Sequence, residues 1–265
     1  MFVLPNLFTL SSIFCGFYAI VLSSGDPGPQ QFFQASLAVF FGIFFDMADG
    51  RVARLTRTQS DFGIQLDSLA DVITFGVAPS IIVFKWGLAR LGFVGAVAAF
   101  VYMACGALRL ARFNVLAQRG VGSKTFFTGL PIPLAAGVLV SLVMFHQVTF
   151  AAAVVREANI LVLILVLSYL MVSNVRYRSF KDVHLSTLSV AGGFSVAAIF
   201  AVLAALMQPT FALLAFFSVY VVLGLVEEVV RFARRQPEAH ATAGAPPGAK
   251  PGDEGPHSTE PGMRR

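Results

Sequence analysis

Charge is scarce in this chain. Only 12% of its 265 residues are Asp, Glu, Lys or Arg, and 57% are hydrophobic, whereas soluble domains carry about 25% charged residues. That balance excludes an ordinary soluble enzyme and marks an integral membrane protein with little mass outside the bilayer. Cysteine is scarcer still. Cys15 and Cys105 both lie in apolar runs, too isolated for a CxxC metal site and too few for a disulfide framework, so they read as small buried hydrophobes. The histidines, His146, His184, His240 and His257, are scattered without a helical spacing that would pair them on a metal. The first apolar run lacks a basic region before it and a small-residue cleavage site after it, so it reads as a retained helix, not a signal peptide. The formal charge is +5, but the basic residues collect at helix ends. Anionic lipid headgroups are therefore the expected partner, and nucleic acid is not.

What remains is apolar runs long enough to cross a bilayer, each needing about 20 residues. Hydropathy predicts eight, over 6–23, 33–56, 61–84, 91–116, 130–148, 157–175, 185–206 and 210–232. The breaks carry turn chemistry, as in Ser24-Gly25-Asp26-Pro27-Gly28-Pro29 and Gln208-Pro209. The expected architecture is an all-α, polytopic membrane bundle over residues 1–235. Residues 236–265, rich in Ala, Gly, Pro and charge, read as a disordered cytoplasmic tail. With the N-terminus inside, thirteen basic residues between Arg51 and Arg235 fall on the cytoplasmic side and only Lys85, Arg90 and Arg156 on the other. This positive-inside bias predicts that both termini are cytoplasmic.

Against that background four aspartates stand out, because a carboxylate at bilayer depth costs roughly 2.5–3.5 kcal/mol on insertion scales. Asp46 and Asp49 are three residues apart, and Gly63, Asp67 and Asp71 are successively four apart, so each set lies on one helix face. A polar break at Thr58-Gln59-Ser60 predicts an antiparallel turn. Folded about it, Asp46 stands level with Asp71, and Asp49 with Asp67, roughly 12–20 Å from the turn at helical rise. Oxygen-only ligands favour hard divalent ions such as Mg²⁺ or Mn²⁺, and four carboxylates in two rows can bridge two of them. Such a pair suits displacement at phosphorus. Gly50 leaves room for a ligand beside the backbone, Gly63 opens the facing helix, and Arg54 is placed to meet phosphate with its planar fork. The competing reading is a carboxylate-based ion or proton transporter.

The run from Asp46 to Asp71 fits the pattern D-x2-D-G-x2-A-R-x8-G-x3-D-x3-D at every specified position. It resembles the signature of the CDP-alcohol phosphatidyltransferases. The resemblance implies a polytopic, typically homodimeric membrane enzyme that displaces CMP from CDP-diacylglycerol with an alcohol, using two divalent cations. It implies metal ligation by Asp46, Asp49, Asp67 and Asp71, with Asp71 also the base that removes the acceptor proton. Nucleotide contacts would fall to Gly50 and Arg54, with Ser60 and Gly63 near the turn and Asn6 and Thr9 at the start of the first span.

Several stretches resemble the bacterial, serine-accepting branch of that family. They are Leu66 to Pro79, Arg109-Leu110-Ala111-Arg112-Phe113-Asn114, Gly129-Leu130-Pro131-Ile132-Pro133 and Ser179-Phe180-Lys181. Relatives that take glycerol phosphate often carry Lys after the fourth aspartate, where this chain has Val72. The implied acceptor is L-serine and the implied location the bacterial cytoplasmic membrane, with the site open to the cytosol. Glycerol phosphate or inositol phosphate is the alternative. Serine's carboxylate needs a cation, and Arg109 or Arg112 could grip it bidentately beside Asn114. Both arginines could equally be anchors snorkelling to headgroups.

Overall fold

The computed structural model describes residues 3–55, 60–119, 126–150, 157–173, 175–178 and 208–243. Helices α1 (Val3–Ser23) and α2 (Pro29–Leu55) form a hairpin. Helix α3 (Asp61–Asp71) continues through a π-helical turn (Val72–Val77) into α4 (Ala78–Val83), then through a second π turn (Phe84–Leu88) and a short 3₁₀ turn (Ala89–Leu91). There follow α5 (Phe93–Gln118), α6 (Ile132–Thr149), α7 (Glu157–Val172) and α8 (Pro209–Ala243). Among the described residues six segments are long and apolar enough to span a membrane: Asn6–Ser23, Pro29–Val52, Asp61–Leu91, Phe93–Ala117, Ile132–Thr149 and Pro209–Val226. The span expected over 157–175 corresponds to α7, apolar but shorter. The one expected over 185–206 lies outside the described residues.

The chain divides into two compact units, Met1–Val226 and Glu227–Arg265. In the second, helix persists as far as Ala243, so residues 236–243, which composition assigns to an unstructured tail, are helical. Residues 244–265 lie outside the described residues. The all-α architecture stands with one addition, a ribbon of β1 (Phe126–Thr128) and β2 (Arg176–Arg178), antiparallel, with Phe127 opposite Tyr177. Strands of three residues are too short to print an alternating pattern. Gly129 ends the ribbon at φ +82°. Its N–H donates to the Val175 carbonyl at 2.8 Å, and a Cβ there would stand 2.2 Å from the Met171 carbonyl oxygen.

Exposure follows a lipid environment. On α1 the large residues Leu10, Phe14, Phe17 and Val21 are exposed, while Thr9, Ser12, Ala19 and Ser23 are buried. Lipid tails are as apolar as leucine, so helices gain from close approach through small residues and not from hiding large ones. The small stripe lets three segments meet. A Cβ on Gly16 would stand 2.7 Å from Thr74 Cα, and one on Gly42 2.5 Å from Thr74 Cγ2. The Thr74 hydroxyl donates to the Ser12 carbonyl (2.9 Å), and the Ser12 hydroxyl donates to the Gly42 carbonyl (3.2 Å). This knot ties α1, α2 and the first π turn together. It lies about one helical turn from the aspartates, Gly42 four residues before Asp46 and Thr74 three after Asp71. The most buried of the six spans is α6; its Ile132, Ala135, Leu139 and Val143 join Phe75, Ile82, Leu88 and Ile164 in one apolar cluster.

Candidate metal centre

Four carboxylates converge at the ends of α2 and α3. One ligand oxygen from each of Asp46, Asp49 and Asp67 lies within 4.8 Å of the others. Asp71, one turn beyond Asp67, comes within hydrogen-bonding reach of Asp46. Asp49 and Asp71 are buried, and Asp46 and Asp67 half-buried. The four carboxylates that spacing predicts to converge are therefore close in space, although Asp46 reaches Asp67 as well as Asp71. The backbones of α2 and α3 nevertheless make few close approaches to each other. The carboxylates reach across a gap, and α1 forms its third wall, packing against α2, α3 and the π turn.

Helix α1 brings its own polar groups to that gap. The Thr9 hydroxyl donates to Asp49 Oδ2 at 2.9 Å, so this buried threonine orients one of the clustered carboxylates. Asn6, one turn earlier, lies beside Gly63: a Cβ built there would stand 4.0 Å from Asn6 Oδ1 and 3.2 Å from Ser60 Oγ. Ser60 caps α3, its Oγ accepting the Gly63 N–H at 3.1 Å, an arrangement that satisfies an otherwise open donor of the first turn. Among the described residues a Cβ on Gly50 would meet nothing within 4 Å, which leaves the backbone there open to a ligand. Arg54 sits in the last turn of α2, and its side chain lies outside the described residues.

Helix α5 closes the other side. Asn114 Nδ2 donates to Ser68 Oγ at 2.8 Å, which docks α5 onto the turn between Asp67 and Asp71. Arg109 is 8% exposed and has Asp71 as its acidic neighbour. Its Nε is buried and makes no hydrogen bond among the described residues. Arg112, three residues on, is exposed, and its Nη1 donates to the Val172 carbonyl at the end of α7 (3.4 Å). The two arginines are thus unlike: one buried in the acidic cluster, the other exposed and reaching a helix end.

The donor set fits a hard divalent cation. Asp67 Oδ1 and Asp71 Oδ1 are buried without a hydrogen-bond partner among the described residues, a costly state unless a cation takes them. Among the described residues one buried guanidinium stands near four carboxylates, and bound divalent ions would offset the remaining negative charge. Oxygen-only ligation of this kind suits a hard cation over a soft one.

The fold is thus a multi-span helical bundle with a carboxylate cluster sunk between its first helices. The family model for CDP-alcohol phosphatidyltransferase matches residues 2–170, and the chain belongs to that family. It is 38% identical over 226 residues to a CDP-diacylglycerol–serine O-phosphatidyltransferase of Helicobacter pylori, covering 85% of this chain and 91% of the relative. A protein of the same description from Bacillus subtilis is 35% identical over 67% of this chain and 91% of its own length. An archaetidylserine synthase of Methanothermobacter thermautotrophicus is 34% identical over 66% and 69%.

Proposed function

We propose that this protein transfers the phosphatidyl group of CDP-diacylglycerol to L-serine, giving phosphatidylserine and CMP. The convergence of Asp46, Asp49 and Asp67 within 4.8 Å, with Asp71 and Arg109 beside them, carries the reading. The names of the relatives support serine as the acceptor. Asp46, Asp49, Asp67 and Asp71 would hold two divalent ions, Mg²⁺ or Mn²⁺. When bound, such ions neutralise charge on the pyrophosphate and on departing CMP.

The chain's own groups do the rest. Asp71 accepts the proton of the serine hydroxyl. The serine oxygen bonds to the lipid-side phosphorus, and the bond from that phosphorus to the bridging oxygen breaks, its electron pair leaving with CMP. Arg109 grips the serine carboxylate through its fork, and its unused Nε supports that role. Gly50 leaves space for the nucleotide, which Arg54, Asn6, Ser60 and Gly63 border. Thr9 is better suited to hold Asp49. Arg112 and Asn114 serve the acceptor side indirectly, Asn114 by fixing Ser68. An apolar groove of about 710 Å³ between α1 and α2, lined by Leu7, Leu10, Phe14, Phe41 and Phe45, lies open on the outer face. Phe45 immediately precedes Asp46, so an acyl chain of the lipid substrate can occupy this groove while its headgroup meets the carboxylates.

Hydropathy supports eight spans, and the positive-inside bias supports both termini and the site on the cytoplasmic side of the bacterial inner membrane, residues 1–235 forming the enzyme. The family resemblance, not the geometry, supports a homodimer. Purified protein incubated with CDP-diacylglycerol and labelled serine, glycerol phosphate or inositol phosphate is expected to label lipid from serine alone. Labelled lipid from either of the other alcohols, with none from serine, would transfer the reading to that acceptor.

A further inference from the structure

The helix carrying Asp71 changes its winding immediately after that residue. In the π turn Val72–Val77 the backbone bonds five residues back, as Ala78 N–H does to the Ile73 carbonyl. The next residue, Pro79, has no N–H. It can serve neither the Phe75 carbonyl four residues back nor the Thr74 carbonyl five back. In a lipid interior no water takes over, and an unsatisfied carbonyl costs free energy. Tyr102 of α5 bonds this turn from a neighbouring helix. Its side chain is fully buried, and its hydroxyl donates to the Phe75 carbonyl at 3.2 Å.

That bond is one of two hydrogen bonds between antiparallel segments, with a pair of charged neighbours between them. Along α3 and the π turn the partners are Ser68, Asp71 and Phe75; along α5, in mirror order, they are Asn114, Arg109 and Tyr102. Tyr102 and Arg109 are seven residues apart, two turns, and so project from the same face of α5. Asp71 and Arg109 are electrostatic neighbours between the two hydrogen bonds, with no ion pair between them. If the upper bond is lost, the π turn loses its tie to α5, and the segment attached to Asp71 is freer to shift relative to α5.

We propose that Tyr102 is a positioning residue: by holding the Phe75 carbonyl from α5, it fixes the π turn that follows Asp71, and thereby the place of Asp71 relative to Arg109 and the seat of the acceptor. This rests on the serine-transfer reading above. Thr74, in the same turn, is already held from the other side by Ser12, so the π turn is clamped between α1 and α5.

The test is Tyr102→Phe, compared with Pro79→Ala and the double variant, in purified full-length protein. For Tyr102→Phe the KM for serine is expected to rise about tenfold, less than the roughly hundredfold that a 1 Å misplacement can cost. The KM for CDP-diacylglycerol and the Mn²⁺ titration midpoint should stay within about twofold, since Asp46, Asp49 and Asp67 take no part in this bond. A purely structural tyrosine would lower melting temperature and yield but leave the serine KM alone, and that result overturns the proposal. Pro79→Ala returns a backbone donor, so adding Tyr102→Phe to it should cost little further melting temperature; fully additive losses also overturn it. Wild-type protein without serine-dependent CMP release would instead defeat the serine reading. The melting-temperature cycle needs no substrate and still judges the bond.

Discussion

Asp71→Asn is expected to lower serine-dependent CMP release by about a hundred- to ten-thousandfold, the range typical for removing a positioned general base. The amide keeps the shape of the carboxyl group, but it has far less affinity for a proton. Because Asp46, Asp49 and Asp67 remain within 4.8 Å of one another, Mn²⁺ binding, measured directly by calorimetry or paramagnetic resonance, should persist in weakened form. The separation of the two readouts is the point: turnover collapses while a bound ion is still detected. Serine transfer at near wild-type rate would remove Asp71 from the role of base. Arg109, whose acidic neighbour is Asp71, should then be tested as the group that orients the acceptor.

Asp46→Ala is the second large effect, and it acts on the other quantity. Asp46 belongs to the three-carboxylate cluster and also reaches Asp71, so it joins the two depth levels of the site. Its loss should weaken metal binding by more than the roughly 10- to 100-fold that removing an outer partner of a ligand costs. The Mg²⁺ or Mn²⁺ titration of activity should move to correspondingly higher concentration, with partial recovery at high metal. An unchanged titration would count against Asp46 as a ligand.

Much of this site was legible before any coordinates, because helical spacing and an antiparallel turn suffice to bring Asp46 to Asp71 and Asp49 to Asp67. Polar residues in a lipid-embedded helix are conspicuous for the same reason that they are costly. What spacing could not reveal was the third wall. The stripe Asn6, Thr9, Ser12 and Gly16 on α1 is visible in the sequence at intervals of three and four. Only the packing assigns Thr9 to Asp49 and Ser12 to the knot with Gly42 and Thr74. The π turn after Asp71 was equally hidden. An extra residue in one helical turn leaves no periodic trace, and Pro79 in an apolar run reads as a mere kink. Its surroundings become clear once Tyr102 is found on the carbonyl of Phe75, four residues before it. Arg109 and Arg112 look equivalent as a pair three apart, yet burial separates them, because only the face of α5 that bears Arg109 turns toward Asp71.

The central claim is that carboxylates sunk among membrane helices form a catalytic centre for a cytidine-activated lipid and not a path for ions. CMP release by the purified protein in detergent, where no gradient exists, measures this directly. The account predicts release from CDP-diacylglycerol that requires serine, ceases when a chelator removes divalent cations, and returns with added Mg²⁺ or Mn²⁺. Protein that binds the metal but releases no CMP under these conditions, while carrying cations across vesicle membranes, would contradict it.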